Sequence, residues 1–251
     1  MTMKHFENFY TSPENISETE VLIRGAELKH LSRVLRKKIR DVINVVDGKG
    51  NLYIAILTEI KKDLARGEIQ KRIRFAGESN FFLTLAQAVP KSNRFDWVVE
   101  KGTELGVSAF VPLNCEYSVI DSNAARISRW ENIALAAIKQ CGRSVLPEIY
   151  PSQSVKEFVQ NANILSLNLI AHPAGKTSTL SHLAEQIKQL DQLPKSANVL
   201  VGPEGGFTAE EVNLAFENGF KPFTLGIRRL RSETAGIVAA ALTMELIGNI
   251  Y

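Results

Sequence analysis

Residues 198–235, NVLVGPEGGFTAEEVNLAFENGFKPFTLGIRRLRSETA, decide how this chain is read, because the stretch twice runs an apolar strand into a glycine-containing loop and then opens a helix. Residues 198–201 are apolar in the manner of a buried strand, and Gly202, Pro203, Gly205 and Gly206 break the run around Glu204. Thr208 and Glu211 make a T-x-x-E capping box for the next helix, with Phe207 and Val212 placed as a hydrophobic staple. That helix stops at Asn218-Gly219. Residues 223–225 read as a second strand ending at Gly226, followed by a basic loop over 227–231. Ser232 is placed to cap a last helix over 233–247. Glycines at a strand end let backbone groups approach a ligand closely, and two such loops on adjacent strands frame one pocket. A lone GPEGG serves equally well as a tight turn; the second loop favours a binding site.

The rest of the chain bounds the answer. Its 251 residues allow one or two domains, and 45% hydrophobic residues are enough for a packed core. Cys115 and Cys141 form no C-x-x-C motif and, with four scattered histidines, give no zinc spacing, so no metal is expected. The start MTMKHFENFY has no apolar signal core and no stretch approaches eighteen apolar residues, which predicts a soluble cytoplasmic protein with no membrane association.

Net charge is +3, unevenly spread. Residues 1–77 hold 15 Lys+Arg against 10 Asp+Glu, leaving 15 against 17 for the remainder. Lys29, Arg33, Arg36, Lys37 and Arg40 fall at helical spacing on one side, and Leu28, Leu31, Leu35 and Ile39 on the other. With Lys38, six cations lie between 29 and 40 without an acid, which points to a polyanionic partner beyond ordinary surface solvation. Strands are predicted over 42–46, 52–60 and 69–75, with a D-G-K-G hairpin turn at 47–50: a small β-barrel carrying one basic helix. AGESN at 76–80 reads as a polar linker, dividing the chain into domains 1–76 and 77–251.

Beyond it strands and helices alternate. Strands are predicted at 81–89, 107–113 and 164–171, and helices at 94–105, 125–141 and 180–190, before the two C-terminal units. Apolar strands alternating with helices predict an α/β domain with a parallel sheet covered on both faces. Gly175-Lys176-Thr177 contains the GKT of a phosphate-binding loop, but the first glycine would fall on Ile170, so a nucleotide triphosphatase is excluded. No G-x-G-x-x-G follows the first strand either, so a ligand in this domain belongs at the C-terminal strands. His172, before Pro173, reads by itself as a turn residue. Lys91 and Arg94, at the strand-end edge, either face an anionic ligand or solvate a helix end. Glu100, Lys101 and Glu104 read equally as surface pairs on a helix.

GPEGGFT followed by LGIRRLRSETA resembles the paired C-terminal motifs of the 16S rRNA uridine methyltransferases of the RsmE type, in the SPOUT superfamily of knotted enzymes. The likeness extends to HLSRVLRKK, to PKSNRFDWVVEKGTELGVSAFVPL at 90–113 and to RWENIALAAIKQCGRSVLPEI at 129–149. It implies a PUA-like RNA-binding barrel and an α/β trefoil-knot domain that binds S-adenosylmethionine through His172, Gly202, Pro203, Glu204, Gly205, Gly206, Leu225, Gly226 and Leu230. It also implies a homodimer with the active site at the subunit interface, acting on ring nitrogen 3 of a uridine in 16S rRNA or the small ribosomal subunit. Arg33, Arg36, Lys91 and Arg94 then face RNA, and Arg231 matches the motif position for stabilising the uridine anion, with Glu233 orienting it.

The chain departs from the family pattern at several points. Arg40-Asp41 replaces Gly-Asp, which lengthens the basic helix or alters its turn; Ser92-Asn93 interrupts K-G-D-R; Tyr117 stands in place of an arginine and Arg229 in place of an aliphatic residue. Two rival readings stand beside this one: a SPOUT enzyme acting on another RNA position such as a tRNA ribose hydroxyl, and a non-catalytic RNA-binding protein. The joint presence of HLSRVLR and GPEGGFT favours the rRNA branch, and the unsubstituted glycine loops favour a working cofactor site.

Overall fold

Apolar alternation between 42 and 74 builds the five-stranded sheet of the first of two units in a computed structural model of the chain, which describes residues 8–118, 123–163, 166–172, 180–189 and 192–247. This unit runs to Glu78 and takes in Leu135–Leu146. Its elements are β1 (Asn8–Tyr10), β2 (Glu20–Arg24), α1 (Gly25–Lys29), β3 (Val42–Val46), β4 (Asn51–Ile60) and β5 (Leu64–Arg74), in sheet order β1-β3-β4-β5-β2. Phe9, Val21, Ile23, Leu28, Leu31, Ile43, Val45, Ala55 and Leu57 form its core. β5 begins five residues before the predicted strand, because residues 64–68 pair with β2, a strand too short to announce itself by alternation.

The basic helix is shorter than its spacing predicts. After α1, residues His30–Val34 continue as one π-type turn, Leu35 caps it, and Arg36 turns left-handed at φ 51°. Asp41 ends the run: its carboxylate accepts the Lys38 amide at 2.8 Å, and its own amide donates to the Lys38 carbonyl. Lys29 and Arg33 therefore lie on the helix, while Arg36 and Arg40 lie in the loop beyond it and Ile39 is exposed. Arg40 adopts φ 80°, a conformation glycine takes at no steric cost, so the departure from Gly-Asp leaves the turn in place and strains one residue.

The AGESN segment is more than a polar linker. The Glu78 side chain is almost wholly buried and accepts hydrogen bonds from Arg143 Nε and Nη2 at 3.0 and 2.8 Å, and from the Ser144 and Val145 amides at 2.9 Å each. A buried carboxylate is tolerated there because a guanidinium and two amides replace its water.

The second unit begins at Ser79. It holds β6 (Phe82–Ala88), α2 (Arg94–Glu104), β7 (Ala109–Asn114), the first part of α3 (Ala124–Cys141), β8 (Glu148–Ile149), β9 (Gln153–Ser154), α4 (Val155–Asn161), β10 (Leu167–Ala171), α5 (Leu180–Lys188), β11 (Ser196–Val201), α6 (Ala209–Glu217), β12 (Lys221–Phe223) and α7 (Ser232–Leu246). The sheet is parallel, in order β12-β10-β11-β6-β7-β8, with β9 also on β7. The predicted capping box is present: Thr208 Oγ1 accepts the Glu211 amide and Glu211 accepts the Thr208 amide, while Phe207 and Val212 are buried in one cluster.

Two boundaries and one adjacency differ from the sequence reading. The last strand ends at Phe223 instead of Leu225, because Thr224 Oγ1 accepts the Gly226 amide and peels the chain from the sheet. Ser232 is the first residue of α7, not its cap; Arg231 holds the cap position. β11 and β12 are not neighbours, since β10 lies between them. The GKT segment, residues 164–165 and residue 190 lie outside the described residues. After β12 the chain turns back and lays α7 against α2, β6 and β11; the second unit has the fold of a SPOUT-type α/β trefoil-knot domain, and the first that of a PUA-like barrel.

Removing the Glu78 carboxylate leaves a buried guanidinium and two amides without this acceptor. Glu78→Ala is expected to lower stability by about 3 kcal/mol or more, measured by urea unfolding; a loss under about 1 kcal/mol would mean that water replaces the carboxylate at no cost.

Candidate functional site

The C-terminal ends of β10, β11 and β12 carry three loops around one cleft of about 490 Å³. Parallel strands end together, and each loop leaves its strand at the same edge, where α/β sheets take ligands. His172, the Gly202–Gly206 loop, Leu225, Gly226 and Leu230 all line this cleft, so the residues that the resemblance groups together do meet. Much of the wall is main chain. Gly206 at φ 80° and Gly226 at φ 112° have open space where a Cβ would stand, so both glycines leave room for a ligand and any larger residue there also strains the backbone.

His172 is half-buried, its amide donating to the Phe223 carbonyl at 3.1 Å. Burial pushes its imidazole below the usual histidine value, so it stays neutral at pH 7.

Charged groups stand around the rim. Arg94, the first residue of α2, lies between two carboxylates, 3.8 Å from Glu204 and 3.8 Å from Glu233. Arg229 donates to the Glu204 carbonyl, so two arginines hold the first glycine loop. Glu233 faces Arg94, and its Oε2 is buried without a partner. Arg231 is exposed at the start of α7. Lys91 is exposed before Ser92, which takes φ 64°. Tyr117, in the position that departs from the family's arginine, is exposed and packs against Gly205. In the first unit Arg33 and Arg36 are both exposed.

Lys101 resolves to a surface triad. It bonds Glu100 and Glu104 at 2.8 Å each, and these two bonds raise its pKa to about 12. Cys115 and Cys141 form no disulfide, and burial pushes the Cys115 thiol up to about 12, which leaves it inert. Among the described residues no three His, Cys, Asp or Glu side chains gather into a metal site, and no helix is long and apolar enough to cross a membrane.

Sequence reasoning missed Ser232 and Gln87. Ser232 lines the cleft, and its Oγ donates to the Gly202 carbonyl at 3.2 Å; Gln87, wholly buried on β6, donates to the Ser232 carbonyl at 2.9 Å. Nothing near Gln87 in the sequence signals this role, since a single polar residue in an apolar strand has no pattern of its own.

Residues 77–244 match the model of an RNA methyltransferase domain, and residues 23–70 that of an RNA methyltransferase PUA domain. The chain is 34% identical over 239 residues to ribosomal RNA small subunit methyltransferase E of Synechocystis, covering 94% of this chain and 76% of that protein. It belongs to the ribosomal RNA small subunit methyltransferase E family. The crystal structure of the family member from Neisseria gonorrhoeae bound to S-adenosyl methionine superposes with a TM-score of 0.84 at 33% identity, covering 96% of this chain and 98% of that one. A methyltransferase of Legionella pneumophila in complex with the same cofactor gives 0.81 at 30%, covering 95% and 97%.

Proposed function

We propose that this enzyme transfers a methyl group from S-adenosylmethionine to ring nitrogen 3 of a uridine in 16S rRNA, and that the three-loop cleft holds the cofactor. The observation that carries this is the meeting of His172, the GPEGG loop and the Leu225–Leu230 loop at one strand-end edge, in a family whose relatives bind that cofactor. The cleft fits the group: it is walled by backbone, it is open above Gly206 and Gly226, and its histidine is neutral, which adds no repulsion to a cationic sulfonium. When bound, S-adenosylmethionine supplies the methyl group to be transferred. Such a transfer needs an aligned nucleophile and no Lewis acid, so a metal has no part in this reading.

Uracil nitrogen 3 carries a proton and becomes a good nucleophile as that proton leaves, which puts negative charge on the flanking carbonyl oxygens. Arg231 is not part of the cleft lining but stands between Leu230 and Ser232, which are, and its permanently charged, multi-donor guanidinium is suited to stabilising that oxyanion. The resemblance has Glu233 orienting Arg231; in the structure its carboxylate lies 3.8 Å from Arg94 instead, so Glu233 supports the cationic rim through Arg94. Residues 1–76 act as the docking module, with Arg33 and Arg36 on phosphate, and Lys91 and Arg94 hold RNA beside the cleft. A second copy of the chain completes the enzyme. The support is α7, apolar all round, with Ile237, Val238, Ala241 and Leu242 half-exposed, and Trp97 exposed on the adjoining α2.

Calorimetry without metal is expected to show S-adenosylmethionine binding that holds steady above pH 6.5, the usual histidine value, and weakens below it as His172 takes a proton. His172→Gln flattens that dependence; an unchanged pH profile in the variant would take His172 out of the cleft's electrostatics.

Incubation with 16S rRNA from cells lacking the protein, followed by nucleoside mass spectrometry, is expected to show one added methyl on uridine nitrogen 3. Arg231→Ala slows single-turnover methylation by about a hundredfold to a thousandfold with cofactor affinity retained, and higher pH restores part of the rate by ionising the uracil unaided. A rate within about threefold of wild type would sink the role.

Arg33→Ala and Arg36→Ala each weaken RNA binding uniformly across sequences and lower the salt slope by about one unit. Wild-type slopes in both would move docking elsewhere.

A further inference from the structure

We infer that Gln87 is a positioning residue: through Ser232 it holds the two glycine loops of the cleft at a fixed spacing, and cofactor affinity depends on the hydrogen bond its amide donates. This rests on the cofactor reading above. Gln87 sits behind the cleft, opposite Val201 in the β6–β11 register and wholly buried. Its Nε2 donates to the Ser232 carbonyl at 2.9 Å and contacts Ser232 Oγ at 3.2 Å; Ser232 Oγ donates in turn to the Gly202 carbonyl at 3.2 Å. Gly202 opens the first glycine loop and Ser232 closes the second, and both line the cleft. One side chain on a third strand thus spans both walls.

One observation favours the amide's donors over its bulk as its role, and a second shows how closely the helix packs on it. Its Oε1 is buried with no partner, a cost that a leucine of similar volume would avoid. One turn into α7, a Cβ at Gly236 would land on that same Oε1, so the helix comes this close only because residue 236 has no side chain. Without the pin the two loops sample other spacings, and apparent affinity falls with the fraction of molecules in the competent one.

Calorimetry with S-adenosylmethionine on the full chain tests this, with thermal unfolding run alongside. Gln87→Leu, which fills the space without a donor, is expected to bind about tenfold to a hundredfold more weakly, and Ser232→Ala severalfold more weakly. Gln87→Glu carries the sharper readout. As a buried acid it donates to Ser232 only when protonated, so its affinity relative to wild type at the same pH improves steadily from about pH 8.5 to about pH 6. Thermal unfolding at each pH separates this from general damage by a buried carboxylate: the trend persists over the range in which the melting temperature of the variant stays level. Leucine binding within about threefold of wild type, or a flat Gln87→Glu ratio across pH, overturns the inference. If Gln87→Leu fails to fold, the Gln87→Glu ratio and Ser232→Ala decide alone. A wild-type protein that binds no S-adenosylmethionine overturns the cofactor reading and this inference together, whereas equal binding by wild type and Gln87→Leu overturns the inference alone.

Discussion

Phe223, Ala171, Val201 and Gln87 are register partners across four parallel strands, β12, β10, β11 and β6, and form one level row at the end of the sheet. The rest of the second unit depends on that row. The chain leaves the sheet on the same side just past Phe223, Ala171 and Val201, so their loops meet over one edge and their main-chain groups are left facing a ligand. Parallel pairing also requires the helices to cross back over the sheet faces, which is why its strands read as nearly unbroken apolar runs. The fourth member of the row, Gln87, points its amide at the start of α7 and so links the strand ends to the helix that follows the last loop.

Much of this was legible in the sequence because it is local. The capping box of Thr208 and Glu211 needs only three residues' spacing, and the staple of Phe207 and Val212 only five, so both could be placed without knowing the fold. The grouping of His172 with GPEGG and LGIRRL rested on resemblance, and the sheet explains it: β10 runs between β11 and β12, an insertion that sequence order hides. Long-range partners left no trace. AGESN looks like a linker because its composition is polar, yet Glu78 is buried against Arg143, 65 residues away in sequence. The basic helix failed for the opposite reason. Its cations keep helical spacing to Arg40, but Asp41 caps the Lys38 amide and the chain turns left-handed at Arg36 and Arg40.

Two cations of α2 do different work about 10 Å apart along one helix. Lys101 spends its charge on two neighbouring carboxylates at the helix surface, while Arg94, about two helix turns earlier in the same α2, reaches Glu204 on the first glycine loop and Glu233 on α7. Charge spacing along α2 alone does not separate the two cases. The sheet order does, because it brings the β6 and β11 ends together and so places the start of α2 beside the GPEGG loop.

The most direct test of the account is a crystal structure of this chain with S-adenosylmethionine and no metal. The account predicts the ligand across the ends of β10, β11 and β12, against the backbone of residues 202–206 and 225–230, with His172 as a wall. A ligand bound at another edge of the sheet, or a cleft that stays empty at saturating cofactor, would contradict it.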